Sequence, residues 1–406
     1  MMHKVSKNLC YFANYFRFMN YLLRFLVSSI ALCCVAISSH ANIYALDSTD
    51  VEADTVRPGF VTRVINYFNE SNKKEPTQHL DFSIIGGPHY SSDSKLGLGL
   101  LAAGVYTVAP GDQATSPSNF TIFADATTAA HFKLGVRGDH FSLNNNWWLN
   151  YELRFASIDT KFWGIGYDQC RLDANETEYR YLELSSFFIA SKRFGKNLYI
   201  GPEAIVSYVK ADKLFDGGNW TYLQEHTISP GVGFSLTFDT RDNITNPHRG
   251  IVVNMAQIFC PKFLGNTSGY SYNELTVAGY HHLWRGCTLA AQAHWRLAWD
   301  NVPWTQLSAL GGSYNMRGYF EDRYRDRCEA DICLELRQNV WHRVGVVAWV
   351  GAARIFDKVS NFNLKHVLPN YGFGYRWEFK KNMNVRVDMG FGRGQSGVVF
   401  NINEAF

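Results

Sequence analysis

Apolar and polar residues alternate with a period of two along most of the chain after residue 80. The segment 371–379, YGFGYRWEF, places its aromatic side chains on one side and glycine, arginine and glutamate on the other, and MNVRVDM at 383–389 repeats the alternation. Because successive strand residues point to opposite faces, such segments are predicted to be β-strands. A soluble sheet buries its apolar face in a core. A face crowded with large aromatics opposite one with glycines and paired charges is instead typical of a transmembrane barrel with a polar lumen; a secreted β-sandwich is the alternative.

The number of segments and the lengths of their connections also favour a barrel. About sixteen segments are predicted, an even number, as antiparallel closure with both strand termini on one side of a membrane requires. Short polar turns alternate with longer connections, which is the usual asymmetry of an outer-membrane barrel. The fold prediction is therefore all-β, an antiparallel transmembrane β-barrel of about sixteen strands over residues 80–406. The predicted strands are 80–90, 95–107, 119–128, 131–142, 147–157, 179–194, 197–209, 226–239, 250–259, 270–283, 287–299, 332–342, 345–355, 370–379, 382–390 and 397–406.

The residues before the barrel follow a different pattern. Residues 1–41 carry basic residues, then the apolar run FLVSSIALCCVAI at 25–37, then small residues at Ser39 and Ala41, which is the order of an export signal. The run is shorter than the ~20 residues of a spanning helix, and a membrane anchor is the alternative. Residues 42–79 are predicted to be a periplasmic leader, with one short amphipathic helix over 59–71.

Composition narrows the class of function. Charged residues make up 18% of the chain, aromatic residues 15%, and the net charge is +3, whereas a soluble domain has about 25% charged residues. Since no basic cluster is interleaved with aromatics, no nucleic-acid partner is expected. The chain also has no zinc-type spacing, nucleophile elbow or HExxH motif, so we expect no enzyme, metal site or cofactor. Five cysteines follow residue 41, an odd number, and whether Cys328 and Cys333 pair is open.

Two motifs lie in connections between predicted strands. MRGY at 316–319 lies in the sixth long outer connection, and FDTRDNITNPHRG at 238–250 follows the eighth strand. They resemble the (V/I)RG(F/Y) loop tip and the D-x-R-x-N…P…G periplasmic turn of the BamA/TamA superfamily of outer-membrane β-barrels, the bacterial surface antigen type. The resemblance covers roughly residues 60–406. Its members normally carry POTRA modules before the barrel, and residues 42–79 are about half the length of one, so the chain resembles a member without POTRA modules. The matching turn residues are Asp239, Arg241, Asp242, Pro247 and Gly250.

The resemblance implies a latch formed by the sixth loop. In the family this loop folds back into the lumen, where an acidic residue of the wall holds its arginine. In this sequence the arginine is Arg317, and an unpaired guanidinium in a confined space would be costly. Gly318 would let the backbone turn and Tyr319 would wedge against the wall; the family's R-x-D strand selects Asp388 as the first partner. An exposed arginine on a surface loop is the alternative. Acids predicted to face the lumen nearby are Asp388, Glu335 and Glu378.

The first and last strands are predicted to pair poorly. Gly86 and Gly87 weaken a strand, and Pro88 cannot donate to a ladder. In the family a weak seam permits lateral opening toward lipid, and a β-bulge is the alternative. Phe400 and Phe406 share one face of the predicted last strand. That strand resembles the C-terminal signal that the outer-membrane β-barrel assembly machinery reads.

The resemblance therefore implies an integral barrel of the bacterial outer membrane, in contact with its lipids and assembled by that machinery. It would assist insertion or translocation of protein or lipid, with an unidentified periplasmic or outer-membrane protein as a possible partner. A passive pore or structural barrel without insertase activity is the alternative, because a sixteen-stranded wall encloses a channel unless something fills it.

Overall fold

The computed structural model describes residues 81–106, 108, 115–212, 224–380, 383–402 and 404–406. The predicted export signal at 1–41 and the leader at 42–79, with its helix at 59–71, lie outside these residues. None of the described helices is long and apolar enough to cross a lipid bilayer.

Sixteen strands close into an antiparallel barrel, which confirms the predicted fold. The connection between β11 and β14 contains a separate two-stranded hairpin, β12 paired with β13. The helical segments in the described residues are α1 (Tyr167–Cys170) and the 3₁₀ turns Leu143–Asn145, Asp173–Asn175, Lys262–Leu264, Trp304–Gln306 and Val359–Asn361. The strands are β1 (Asp81–Ser91), β2 (Lys95–Tyr106), β3 (Ser118–Thr127), β4 (Phe132–Phe141), β5 (Trp147–Phe162), β6 (Thr177–Phe194), β7 (Leu198–Asp212), β8 (His226–Asp239), β9 (Gly250–Cys260), β10 (Tyr270–Trp284), β11 (Cys287–Asp300), β12 (Ser308–Leu310), β13 (Tyr324–Asp326), β14 (Cys328–Trp341), β15 (Val344–Phe356), β16 (Leu368–Lys380), β17 (Met383–Gly392) and β18 (Gln395–Ile402).

The two faces of the wall differ as the alternation predicts. On β16, Phe373 is 58% exposed whereas Arg376 is 4% exposed, and on β17 Asp388 is fully buried while Met389 faces outward. The aromatic face therefore covers the outside of the barrel, and the charged face lines the lumen. Closing the sheet pairs the backbone N–H and C=O groups between strands, as a wall within hydrocarbon requires.

The hairpin of β5 and β6 is longer than predicted at its loop end. The predicted strands were 147–157 and 179–194, whereas β5 continues to Phe162 and β6 begins at Thr177. The ring of Phe162 packs edge-on against Tyr179 at 6.4 Å and against Trp304 at 5.5 Å. Trp304 belongs to the distant connection after β11, so sequence alternation could not reveal this extension.

The last strand does not reach residue 406, and this part of the prediction is wrong. Strand β18 ends at Ile402, and the ring of Phe406 lies inside the lumen, 6.5 Å from the ring of Tyr280 on β10. Phe400 remains in the strand, paired with Tyr90. The chain bends inward because polar groups of the lumen hold Glu404: Arg376 donates to it at 2.8 Å and Asn384 at 2.6 Å.

The barrel closes through few pairs. Among the described residues β1 and β18 register only at Tyr90 with Phe400 and at Ser91 with Val399. By contrast, β1 registers with β2 over all 11 of its residues. Within the described part of the chain, the stretch of β1 without a registered partner on β18 includes Gly86, Gly87 and Pro88. On the β2 side the register runs through these three residues without a shift.

Candidate functional site

The connection between β11 and β14, residues 301–327, folds into the lumen, and we call it the sixth loop. Its tip, residues 316–319, is buried. Two aromatic contacts hold the loop from the opposite wall: Phe320 packs edge-on against Trp163 at 5.2 Å, and Trp304 packs against Phe162. A loop that buries this many side chains occupies the lumen rather than extending into solvent.

Arg317 lies between two carboxylates of the wall. Its Nη1 donates to Asp388 on β17 at 2.8 Å, and its Nη2 donates to Glu335 on β14. The guanidinium carbon also lies 3.7 Å from the centre of the Trp349 ring on β15, within cation–π range. The side chain is 1% exposed. Asn370 donates to the Arg317 carbonyl oxygen, so the wall holds both the side chain and the backbone of this residue.

Further arginines surround the same carboxylates. Asp388 accepts from Arg376 at 2.5 Å and from Arg386 at 2.8 Å, and Glu335 accepts from Arg337 at 2.7 Å. Alternation placed Arg376 and Arg386 on the polar face of their strands, but sequence reasoning assigned neither to the latch and did not single out Arg337. Arg337 alternates with apolar residues on β14, and that signal would have placed it in the lumen as well. We call these six residues, with Glu404, the lumen charge network. Its members are Arg317, Arg337, Arg376, Arg386, Glu335, Asp388 and Glu404.

Glycines allow the loop tip to contact β17. Gly318 has a φ of +105°, and a Cβ there would lie 2.4 Å from the carbonyl carbon of Gly390. A Cβ on Gly392 would lie 2.4 Å from the ring of Tyr319. The Tyr319 hydroxyl donates to the carbonyl oxygen of Pro369 at 2.7 Å and accepts from the Arg393 N–H at 2.8 Å. Tyr319 is therefore fixed in a slot that a side chain at residue 392 would fill.

The sixth loop also contacts both sides of the seam. The Phe320 N–H donates to the Gln395 side chain, at the start of β18, at 3.0 Å. The next N–H, of Glu321, donates to Asp93 in the β1–β2 turn at 2.9 Å. Burial raises the pKa of Asp93 to about 6, and the nearby charge of Glu321 adds to the rise. Two consecutive residues of the loop thus join the two strands where the barrel closes.

The β8–β9 turn lies at the opposite end of the barrel from the sixth loop, because successive strands alternate in direction. Asp239 pairs with Arg241 at 2.7 Å, and Asp242 accepts from the N–H groups of His248 and Arg249 at 2.9 and 3.1 Å. Burial alone would raise the pKa of Asp242, but these two N–H groups hold it below its ordinary value. Pro247 is buried, and Gly250, at a φ of +106°, would place a Cβ 2.3 Å from the Thr240 carbonyl oxygen. These contacts fit a structural turn.

A second loop covers the sixth loop. Arg323 donates to the carbonyl oxygen of Cys170 at 3.1 Å and to Asp173 at 2.6 Å. The Tyr167 hydroxyl accepts from Arg393 at 2.7 Å, and its ring stacks on His366 at 4.4 Å. The connections after β5, β11, β15 and β17 therefore meet over the end of the lumen to which the sixth loop belongs.

The described cysteines are all free thiols. Cys328 and Cys333 do not pair, and Cys170, Cys260 and Cys287 are also unpaired. Burial raises the pKa of Cys170 to about 11, which keeps it a thiol at neutral pH. No cluster of three or more histidines, cysteines or acids within the described ranges could hold a metal ion.

We expect Arg317→Ala to lower the free energy of unfolding by about 3 kcal/mol, because it leaves two buried carboxylates short of a partner. Urea unfolding in micelles, together with the temperature at which the folded band disappears on gels, measures the change. Arg171→Ala is the control, since that side chain is 52% exposed. Equal unfolding curves for the two variants would contradict the role of Arg317 as a latch.

Gly318→Ala should be more damaging than Gly394→Ala. Both glycines have positive φ values, but a Cβ at Gly394 has nothing within 4 Å, whereas one at Gly318 clashes with β17. A positive φ alone costs about 1–2 kcal/mol, and that is the loss expected for Gly394→Ala. Urea unfolding of both variants tests the difference, and equal losses would show that the close approach of Gly318 to β17 is unimportant.

The folded barrel should lose stability as the buried carboxyl of Asp93 ionises with rising pH. The folded pKa of Asp93, about 6, exceeds its ordinary value of 3.8, so the folded protein binds a proton more readily than the unfolded chain. Stability should therefore decline between about pH 4 and pH 6. Asp93→Asn should reduce this decline, as followed by the melting temperature at pH 5 and pH 7.5. An identical decline in the variant would disprove the contribution of Asp93.

Comparison with known proteins gives the same fold. A family model described as the Omp85 superfamily domain matches residues 119–393. The structure of BamA from Haemophilus ducreyi lacking POTRA domains 1-3 superposes with a TM-score of 0.55 at 12% identity, covering 84% of this chain and 78% of that chain. CdiB from Escherichia coli gives 0.54 at 10% identity, covering 84% and 70%. A search of curated proteins finds no match.

At these low identities the two solved structures support the fold alone. The family model matches more than half of the 406 residues and therefore establishes the family. The lipid-facing aromatic wall, the inward sixth loop and this match lead to one assignment. The chain belongs to the Omp85 superfamily and is an outer-membrane β-barrel.

Proposed function

We propose that the protein assists insertion or translocation of protein or lipid at the outer membrane by opening the seam between β1 and β18. The observation that carries the proposal is the pairing of these strands, with only two registered residue pairs among the described residues. A ladder hydrogen bond contributes about 0.5–1.5 kcal/mol net. Separating β1 from β18 therefore requires less free energy than separating β1 from β2, whose register covers 11 residues.

The part of β1 that registers only with β2 among the described residues offers a binding edge to another chain. Residues 81–89 are a strand paired with β2 on one side, and among the described residues no partner on β18 registers with them on the other. Backbone N–H and C=O groups along such an edge form a template for an extended segment of another chain. An incoming strand would add to β1 by main-chain hydrogen bonds, which impose little sequence requirement.

The sixth loop would hold the seam closed at one end. Its Phe320 and Glu321 N–H groups contact Gln395 and Asp93 on the two sides of the seam, next to the registered pairs. Arg317, three residues earlier, anchors the loop to β14 and β17. Opening would therefore begin at the end away from this loop and become complete only when the two registered pairs beside the loop separate. A lumen filled by the loop also supports a gate over the alternative of a passive pore.

A disulfide across the seam tests the proposal. Tyr90→Cys with Phe400→Cys joins β1 to β18, and Leu100→Cys with Ala124→Cys, which registers β2 with β3, is the matched control. Both pairs are placed in a chain whose native cysteines are replaced by serine. The proteins are reconstituted in liposomes, and two rates are followed: folding of a urea-unfolded eight-stranded outer-membrane barrel and transfer of a fluorescent phospholipid between leaflets.

Oxidising the seam pair should slow at least one rate several-fold, with recovery on reduction, while oxidising the control pair changes neither. Equal activity with the seam locked would overturn the proposal. A large, steady conductance in planar bilayers, unaffected by the lock, would favour the passive pore instead.

A further inference from the structure

Arginines outnumber acidic side chains in the lumen charge network. Among the described residues the network joins four guanidiniums and three carboxylates, each less than one-tenth exposed. A buried cation without a full set of counter-ions is strongly destabilising. Arg337 has a further partner in the last residue, Phe406, whose oxygen accepts from its Nη2 at 2.8 Å, so unmet hydrogen bonds rather than net charge show what the network lacks.

Three hydrogen-bond donors of this network have no partner in the described part of the chain. Nη1 of Arg337, Nη2 of Arg376 and Nε of Arg386 are buried and find no acceptor within the described residues. Buried polar groups almost always have a partner in folded proteins. Three unmet donors in one cationic cluster indicate a missing acceptor that is itself negatively charged.

Two of these arginines line a cavity of about 110 Å³ at the end of the barrel opposite the sixth loop. Arg343 in the β14–β15 turn and His248 in the β8–β9 turn complete its basic side, and Thr288 fixes the His248 ring at 2.9 Å. The acids on the lining are Glu378 and Glu404, and Arg376 and Asn384 already bond Glu404. Three arginines against two glutamates leave the lining positively charged.

We propose that this cavity binds a phosphate group, held by Arg337, Arg343 and Arg376. Guanidinium groups bind phosphate through charge-assisted, often bidentate, hydrogen bonds. A cavity of this volume accepts a phosphate group but not the acyl chains of a lipid. The phosphate belongs either to a free anion or to a lipid headgroup that enters from the periplasmic mouth.

Phosphate in this cavity acts on the latch as well. Arg376 also bonds Asp388, and Arg337 also bonds Glu335, and these are the two carboxylates that hold Arg317. A bound anion would accept from the unmet donors of Arg337 and Arg376 and so hold both arginines in place beside these carboxylates. Phosphate should therefore stabilise the folded barrel by mass action.

Calorimetric titration of the full chain in uncharged micelles with inorganic phosphate, at constant ionic strength, tests the site. We expect saturable binding and a melting temperature that rises with phosphate. Arg343→Gln should weaken binding about tenfold. This variant removes an exposed turn residue and should fold; Arg376→Lys, which keeps the charge but loses the planar fork, should also bind more weakly. Arg285→Gln, an exposed arginine of the β10–β11 turn outside the cavity lining, should bind like the wild type.

Binding experiments in nanodiscs distinguish the two sources of the phosphate, a lipid headgroup and a free anion. If phosphatidic acid in a phosphatidylcholine bilayer raises the apparent Kd for inorganic phosphate, the ligand is a lipid headgroup; if it does not, the ligand is the free anion. Absence of saturable binding, or equal affinity in the wild type, Arg343→Gln and Arg285→Gln, would overturn the proposal.

Discussion

One buried guanidinium determines how the lumen of this barrel is organised. Arg317 is removed from water, so it is stable only where the wall offers carboxylates, and Asp388 and Glu335 meet it from β17 and β14. The geometry of that contact brings the loop backbone against Gly390, which leaves no room for a Cβ at Gly318 or at Gly390 itself. The buried Arg317 guanidinium requires a carboxylate partner. This single requirement accounts for its ion pairs, for the glycines of β17 and for the inward path of the sixth loop.

The sixth loop also links Arg317 to the β1–β18 seam, where the described residues form only two registered pairs. Residues 320 and 321 contact β18 and the β1–β2 turn beside the two registered pairs. Displacing Arg317 would consequently loosen the seam, and separating the strands would pull on the loop. Coupling of this kind needs no change elsewhere in the barrel, because the other neighbouring strands share longer registers.

Much of this architecture follows from local sequence pattern. Alternation identified the strands and their outward faces, since lipid and lumen impose opposite chemistry on neighbouring positions, and the polar face of β17 showed Asp388. Features that depend on closure could not be read in this way. The number of pairs between β1 and β18 is set by the register of the whole barrel, and Phe406 leaves the strand only because lumen groups that are distant in sequence hold Glu404. Alternation put Arg376 and Arg386 on the lumen face, but only the fold shows that they and Arg337 surround the same acids.

The inward bend after Ile402 gives the wall an uneven height. Strand β18 has 8 residues, whereas β5 and β6 have 16 and 18, and a tilted strand needs about 9–11 to cross the hydrocarbon layer. Acyl chains beside β18 therefore meet an apolar belt shorter than their own thickness and must compress to match it. Hydrophobic mismatch, and with it local thinning of the bilayer, is therefore expected next to the seam where a new strand or a lipid would enter.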